Sequence, residues 1–207
     1  MSQPPMTPAG FQTVTGVSRE TLDRLSLYAD LLVKWQKKIN LVGPATIPDV
    51  WRRHMLDSAQ LWPHLPADLP RLIDIGSGAG FPALVLAIMG VPEVHVIESD
   101  QRKCTFMREV ARQTGASVTV HTQRIEQMSG LTAPVVTARA LAALPKLLDL
   151  AMPLVEEGGS LLFLKGQNVD EELTEARKIW IFEDTRYPSQ SDPSGVVLRL
   201  REVRSND

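Results

Sequence analysis

The segment Arg71-Leu-Ile-Asp-Ile-Gly76-Ser-Gly78-Ala-Gly80-Phe81-Pro82 decides the architecture. A short apolar strand runs straight into three glycines at alternate positions, and Pro82 then opens a helical stretch to Met89. That succession is the first unit of an open α/β sheet, whose ligands bind beyond the carboxyl ends of the strands. Glycines let the backbone approach a ligand closely, and the helix start at Pro82 should offer free N–H groups to an anion. A nucleotide-like ligand is therefore expected. The dinucleotide pattern G-x-G-x-x-G needs glycine at position 81, where this chain has Phe81, so the loop suits S-adenosylmethionine better than NAD.

Working outward, strands are predicted at Arg71–Ile75, Val94–Glu98, Ser117–His121, Pro134–Ala138 and Ser160–Lys165. Helices are predicted near Pro82–Met89, Gln101–Thr114, Ile125–Met128 and Pro145–Val155. This alternation specifies a mostly parallel sheet with helices on both faces. Two further strands, Ile179–Tyr187 and Val196–Val203, flank the turn-rich Ser-Gln-Ser-Asp-Pro-Ser-Gly and read as a closing antiparallel hairpin, giving seven strands. Upstream, Leu22, Leu25, Tyr28, Leu32, Trp35 and Ile39 form the stripe of an amphipathic helix capped by Ser18. A second helix is expected from Pro48 to Trp62, with Trp51, Met55, Ala59 and Trp62 on one face. The chain thus divides into a loose Pro-rich tail over 1–17, a helical appendage over 18–70 and a main domain over 71–207.

The 207 residues carry 22 Lys+Arg and 24 Asp+Glu, a net charge of −2, with 43% hydrophobic residues. This is the composition of a soluble domain and excludes a general nucleic-acid coat protein, which needs many unpaired cations. A local RNA site must use the basic clusters Lys34/Lys37/Lys38, Arg52/Arg53/His54 and Arg102/Lys103. The single Cys104 excludes a disulfide framework and Cys-rich metal sites, no histidine constellation suggests a metal, and the start lacks a signal peptide. The longest apolar run, Phe81 to Val91, is broken by Pro82 and Gly90 and is too short for a bilayer. A cytoplasmic protein without a membrane segment is expected.

Glu98 ends the second strand 22 residues after Gly76, where a carboxylate can accept hydrogen bonds from both hydroxyls of an adenosine ribose and would repel a 2′-phosphate. After the third strand, Ile125 can cover an adenine face and Glu126 can meet its amino edge. Arg139, at the end of the fourth strand, can hold a donor carboxylate, an RNA phosphate or an acceptor base. His54 suits either an interior hydrogen bond or an RNA contact. The fourth strand is followed by neither an Asn/Asp-Pro-Pro-aromatic motif nor a Pro-Cys nucleophile, and Cys104 lies in a helix, where burial is expected. No catalytic residue is assigned. An acceptor with a free lone pair, such as guanine N7, needs no general base and is served by positioning.

Lys34-Trp35, Ile39-Asn40-Leu41, Arg53-His54-Met55-Leu56-Asp57-Ser58, Asp74 to Pro82, Glu98-Ser99, Arg139-Ala140 and Leu164-Lys165-Gly166 occur in that order. Together they resemble the bacterial glucose-inhibited division protein B (RsmG) family, the small-subunit ribosomal RNA guanine-N7 methyltransferases. The resemblance spans about Leu25 to Gly166. It implies a class I, Rossmann-like methyltransferase fold, S-adenosyl-L-methionine as donor, and a guanine in the decoding-region loop of 16S rRNA as acceptor. By position it implies donor contacts from Gly76, Phe81, Glu98, Ile125, Glu126 and Arg139; Gly78 of the glycine loop is expected to join them, and RNA contacts are expected from Arg52, Arg53, His54 and Lys165. Gln36, Val42 and Ala83 depart from the family pattern, which usually has Asn, Thr and Gly there. The partner expected is the small ribosomal subunit or its assembly intermediate, met by a monomer. Two other readings compete: a non-catalytic RNA-binding assembly factor, and a nucleotide-linked oxidoreductase.

Overall fold

The computed structural model describes residues 4–206. Its centre is a seven-stranded sheet built from β1 (Arg71–Ile75), β2 (Glu93–Glu98), β3 (Val118–Thr122), β4 (Ala133–Arg139), β5 (Val155–Lys165), β6 (Trp180–Pro188) and β7 (Val196–Ser205), in the order β3-β2-β1-β4-β5-β7-β6. The first five strands are parallel, and β7 runs antiparallel to both β5 and β6. The order reverses between β1 and β4, so the carboxyl ends of β1, β2 and β4 splay around a crevice.

Period-2 alternation divides the core into two layers. Leu72, Val94, Val96, Val135, Leu162 and Leu164 face one layer; Ile73, Ile75, Ile97, Val136, Leu161 and Phe163 face the other. The first layer is covered by α2 (Arg19–Gln36), α4 (Ala83–Met89) and α5 (Gln101–Thr114), the second by α6 (Leu144–Ala151) and α7 (Val169–Ala176). Capping sets the helix ends: Ser18 Oγ accepts from Thr21 N at 3.1 Å, Asp100 Oδ1 accepts from Arg102 N at 2.8 Å, and Gly115 closes α5 in the left-handed region. Among the described residues no helix is long and apolar enough to cross a membrane, and no group of three or more His, Cys, Asp or Glu could hold a metal ion.

Three expectations need correction. The expected loose tail over 1–17 contains a helix, α1 (Pro8–Thr15), with Thr7 Oγ1 accepting from Gly10 N at 3.0 Å and Pro8 in its first turn. Phe11 of this helix is fully buried, 5.3 Å from the Trp51 ring. Prolines preceding a helix set its start rather than forbid it. The expected helix over 48–62 is instead a 3-10 turn (Pro44–Asp49), a π-helical turn (Trp51–Leu56), the short α3 (Asp57–Ala59) and a 3-10 turn (Trp62–His64). Trp51, Met55 and Ala59 are buried as the stripe demands, but the later change of pitch leaves Trp62 40% exposed. Finally, α7 lies in a stretch given no element in the sequence reading, where Val169, Leu173 and Ala176 bury one face beneath an acidic first turn.

Candidate active site

The glycine loop joins β1 to α4. Gly76 and Gly80 have φ of 63° and 95°, and a Cβ at either would sit 2.5 Å from Leu141 Cδ1 or 2.3 Å from Leu84 Cδ1. Gly78, at φ 57°, would aim a Cβ at open space. The loop is braced from below by the appendage: Tyr28 donates its hydroxyl to the Ala79 carbonyl at 2.6 Å, and its ring stacks on Phe81 at 5.0 Å. The expectation of free N–H groups at this helix start does not hold for Gly80 and Phe81. Both donate to the Ser77 carbonyl, because the loop closes as a turn before the helix begins.

Glu98 stands opposite, at the end of β2. Gly78 N donates to its Oε2 at 3.0 Å and Asp100 N to its Oε1 at 2.8 Å. Each oxygen keeps a second lone pair, so the carboxylate is fixed in place yet can still accept from a vicinal diol. Below it Asp74 is wholly buried. Burial raises its carboxyl to about 7 against the opposing hydrogen bonds of Ser77 and Thr137 and the Arg139 charge. Thr137 Oγ1 donates to Asp74 Oδ1 at 2.7 Å, while Oδ2 has no hydrogen-bond partner among the described residues. Cys104 is buried as expected; its Sγ lies 3.2 Å from the Glu98 carbonyl, and burial pushes its thiol pKa up.

A cavity of about 720 Å³ opens over these strand ends and is lined by every expected donor residue: Gly76, Gly78, Phe81, Glu98, Ile125, Glu126 and Arg139. A fixed diol acceptor, a glycine opening onto free space, an apolar side chain and a cation in one cavity fit S-adenosylmethionine, whose ribose, adenine and carboxylate need those partners. Of the expected RNA residues, Arg53, His54 and Lys165 also line it, whereas Arg52 does not. Arg52 pairs with Asp49 at 3.1 Å and donates to the Pro4 carbonyl at 2.9 Å, tying down the N-terminal segment. Lys165 is committed to Glu172 at 2.5 Å and the Ala142 carbonyl at 3.0 Å. His54 is 5% exposed and is pushed down to about 3 by burial and then by the Arg139 and Arg53 charges. All three side chains thus have partners within the protein, Arg52 in a local i,i+3 pair and His54 and Lys165 in contacts distant in sequence.

Arg139 is the hub of the far wall. Its Nη1 lies 3.0 Å from His54 Nδ1, 3.2 Å from Asp57 Oδ2 and 3.3 Å from the Arg53 carbonyl, and the guanidinium sits 4.9 Å from the Phe81 ring centroid. A neutral His54 accepts this bond at Nδ1, so its proton is on Nε2, directed at Thr46 Oγ1 2.6 Å away; Thr46 in turn donates to the Gly43 carbonyl at 2.7 Å. The wall is completed by the β6–β7 turn, where Ser191 Oγ donates to Asp57 Oδ1 at 2.6 Å and Asp192 pairs with Arg53 at 3.2 Å. Sequence reading missed Ser191 and Asp192. Their signal was topological: because β7 runs antiparallel to β5, with Val196 opposite Lys165, the preceding turn must lie at the carboxyl end of the parallel strands. Gln36, one of the departures from the family pattern, is structural here: its Oε1 accepts from Leu41 N and Val42 N at 2.9 and 3.0 Å.

Comparison with known proteins agrees with this geometry. A family model described as rRNA small subunit methyltransferase G matches residues 21–193. A relative from Paramagnetospirillum magneticum, named ribosomal RNA small subunit methyltransferase G, is 61% identical over 96% of this chain and 97% of its own. One of the same name from Rhodospirillum centenum is 57% identical over 93% and 89%. Among solved structures, a fibrillarin/Nop5p complex superposes with a TM-score of 0.57 at 13% identity, covering 72% of this chain and 81% of that one. The N-methyltransferase NodS from Bradyrhizobium japonicum in complex with S-adenosyl-L-homocysteine gives 0.56 at 14% identity, covering 84% and 97%. At such identities these two speak for the fold alone, which is the class I S-adenosylmethionine-dependent methyltransferase fold. With its family model spanning most of the sequence and relatives this similar over nearly full length, the chain belongs to the rRNA small subunit methyltransferase G family.

Proposed function

We propose that this protein transfers a methyl group from S-adenosyl-L-methionine to N7 of a guanine in the decoding-region loop of 16S rRNA. We place it in the cytoplasm, acting without a metal as a monomer on the small ribosomal subunit or an assembly intermediate. The observation that carries the reading is the far wall of the cavity, where the polar side chains around Arg139 are already engaged with one another. His54 has its lone pair engaged by Arg139, and Asp57 accepts from Arg139 and Ser191. An acceptor already carrying a free lone pair fits such a wall, and guanine N7 is one.

When bound, S-adenosylmethionine supplies an electrophilic methyl on a sulfonium sulfur. The chain's part is to hold and orient. Glu98 accepts from the ribose hydroxyls, Ile125 and Glu126 border the adenine, the open space at Gly78 admits the donor backbone, and Arg139 holds the donor carboxylate. Fixing donor and acceptor in line can by itself lower the barrier by several kcal/mol. Arg53, half-exposed on the rim, meets RNA phosphate.

The test gives the purified protein labelled S-adenosylmethionine with unmodified rRNA or with small ribosomal subunits, followed by digestion to nucleosides and mass identification. Label in 7-methylguanosine is expected. A protein that binds donor yet labels neither substrate would overturn the proposal in favour of a non-catalytic RNA-binding role.

A further inference from the structure

Arg139 is held in an unusual way. Every hydrogen bond of its guanidinium to the described residues runs from Nη1. Its Nε and Nη2 make none, and neither is among the buried polar atoms that lack a partner, so this edge is accessible on a residue that lines the cavity. Asp57 faces Nη1 at 3.2 Å with one oxygen, while its other oxygen is anchored by Ser191 Oγ at 2.6 Å and Gln60 Nε2 at 3.1 Å. Arg139 and Asp57 are 19% and 18% exposed at the side chain, and Ser191 and Gln60 are buried. A charge pair so enclosed is screened far less than a surface pair and fixes geometry more firmly.

We propose that Asp57, braced by Ser191 of the β6–β7 turn, is the positioning residue of Arg139: it clamps Nη1 so that the Nε–Nη2 edge faces the donor as a two-pronged hydrogen-bond fork. A guanidinium pinned at one terminal nitrogen keeps its plane and presents two parallel donors, the geometry that matches a carboxylate. The Phe81 ring, 4.9 Å from the guanidinium carbon, limits tilt on one side. Neutral His54 adds a second acceptor to the same nitrogen, so the clamp needs no second negative charge. The C-terminal hairpin, distant in sequence from the glycine loop, thereby acts on donor affinity without touching the donor. The inference rests on the reading of Arg139 as a donor-carboxylate contact.

A double-mutant cycle on the full chain tests it, with S-adenosylhomocysteine, which carries the same carboxylate, titrated calorimetrically into wild type, Asp57→Asn, Arg139→Gln and the double variant. Asp57→Asn is expected to weaken binding about tenfold when Arg139 is present and less than about twofold when it is absent. A merely structural role would cost the same factor in both backgrounds, and that result, or no effect in either, would overturn the proposal. Ser191→Ala, which removes one hydroxyl, serves as the second variant should Asp57→Asn not fold; it should weaken binding about threefold, again only with Arg139 present. Wild type that fails to bind the probe would instead overturn the donor reading itself, a distinct outcome.

Discussion

Burial moves two side chains of the site, His54 and Asp74, in directions that oppose one another with pH. His54 sits at about 3 in the folded protein against 6.5 in an unfolded chain, so its contribution to stability is lost as pH falls from 6.5 toward 3, where only the unfolded state takes up the proton. Asp74 sits at about 7 against 3.8, so its contribution is greatest below about 4 and is lost as pH rises to about 7. Replacing each should expose the other. In wild type the two slopes offset one another between pH 4.5 and 6.5; in His54→Gln the thermal midpoint should rise as pH falls from 6.5 to 4.5, and in Asp74→Asn it should fall over the same interval. Calorimetric scans across that range would show either change, at about 2–4 °C per kcal/mol for a chain of this size. Glu98 poses a different case, since backbone N–H groups hold both its oxygens before any ligand arrives. Glu98→Ala is expected to weaken donor binding at least about tenfold, or about 1.4 kcal/mol, in a calorimetric titration. An unchanged affinity would make it a loop brace only.

At the level of elements, α1 and the irregular turns over 44–64 turn the appendage from an ornament into a support for the glycine loop. Phe11→Ala should cost about 3–5 kcal/mol, seen as a midpoint lowered on the order of 10 °C, because the residue is completely buried against Trp51. These elements also mark the limit of what the sequence disclosed. The strand Arg71–Ile75 and the helix Gln101–Thr114 were readable to the residue, since apolar patterning, a capping Asp100 and a closing Gly115 all agree there. The helix over Pro8–Thr15 was hidden because its prolines outweighed a single buried Phe11. Over 44–64 the apolar stripe identified Trp51, Met55 and Ala59 as buried, but a stripe cannot distinguish an α from a π turn. The donor half of the cavity follows from local motifs on β1, β2 and β3. The acceptor half rests on pairs such as Asp57–Ser191 and Arg53–Asp192, and partners more than a hundred positions apart leave no local trace.

For the molecule as a whole, net charge is nearly balanced, so the RNA contact proposed above would draw on cations that are exposed or lightly paired, Lys34, Lys37 and Lys38 of the appendage and those on the cavity rims among them. Arg53 on one rim is half-exposed and, among the described residues, its ion pair is with the part-exposed Asp192; Lys103 and Arg124 line the other rim with no side-chain ion pair to the described residues. Arg53→Ala should lower the slope of log affinity for rRNA against log salt by about one while leaving donor affinity unchanged. Arg52→Ala, next door in sequence, should lower the thermal midpoint and leave the slope alone, because its charge is engaged with Asp49. The strand order carries a last consequence. β7 lies between β5 and β6, although β6 precedes it in the chain. A nascent polypeptide therefore makes β6 before there is an edge for it to join, and the free side of β5 stays open until Val196 onward has been synthesised. The turn bearing Ser191 and Asp192 is installed in that same closing event. Asp57 gains its Ser191 brace only when the hairpin docks, so in vectorial synthesis that wall of the cavity is completed after every parallel strand of the sheet has been made.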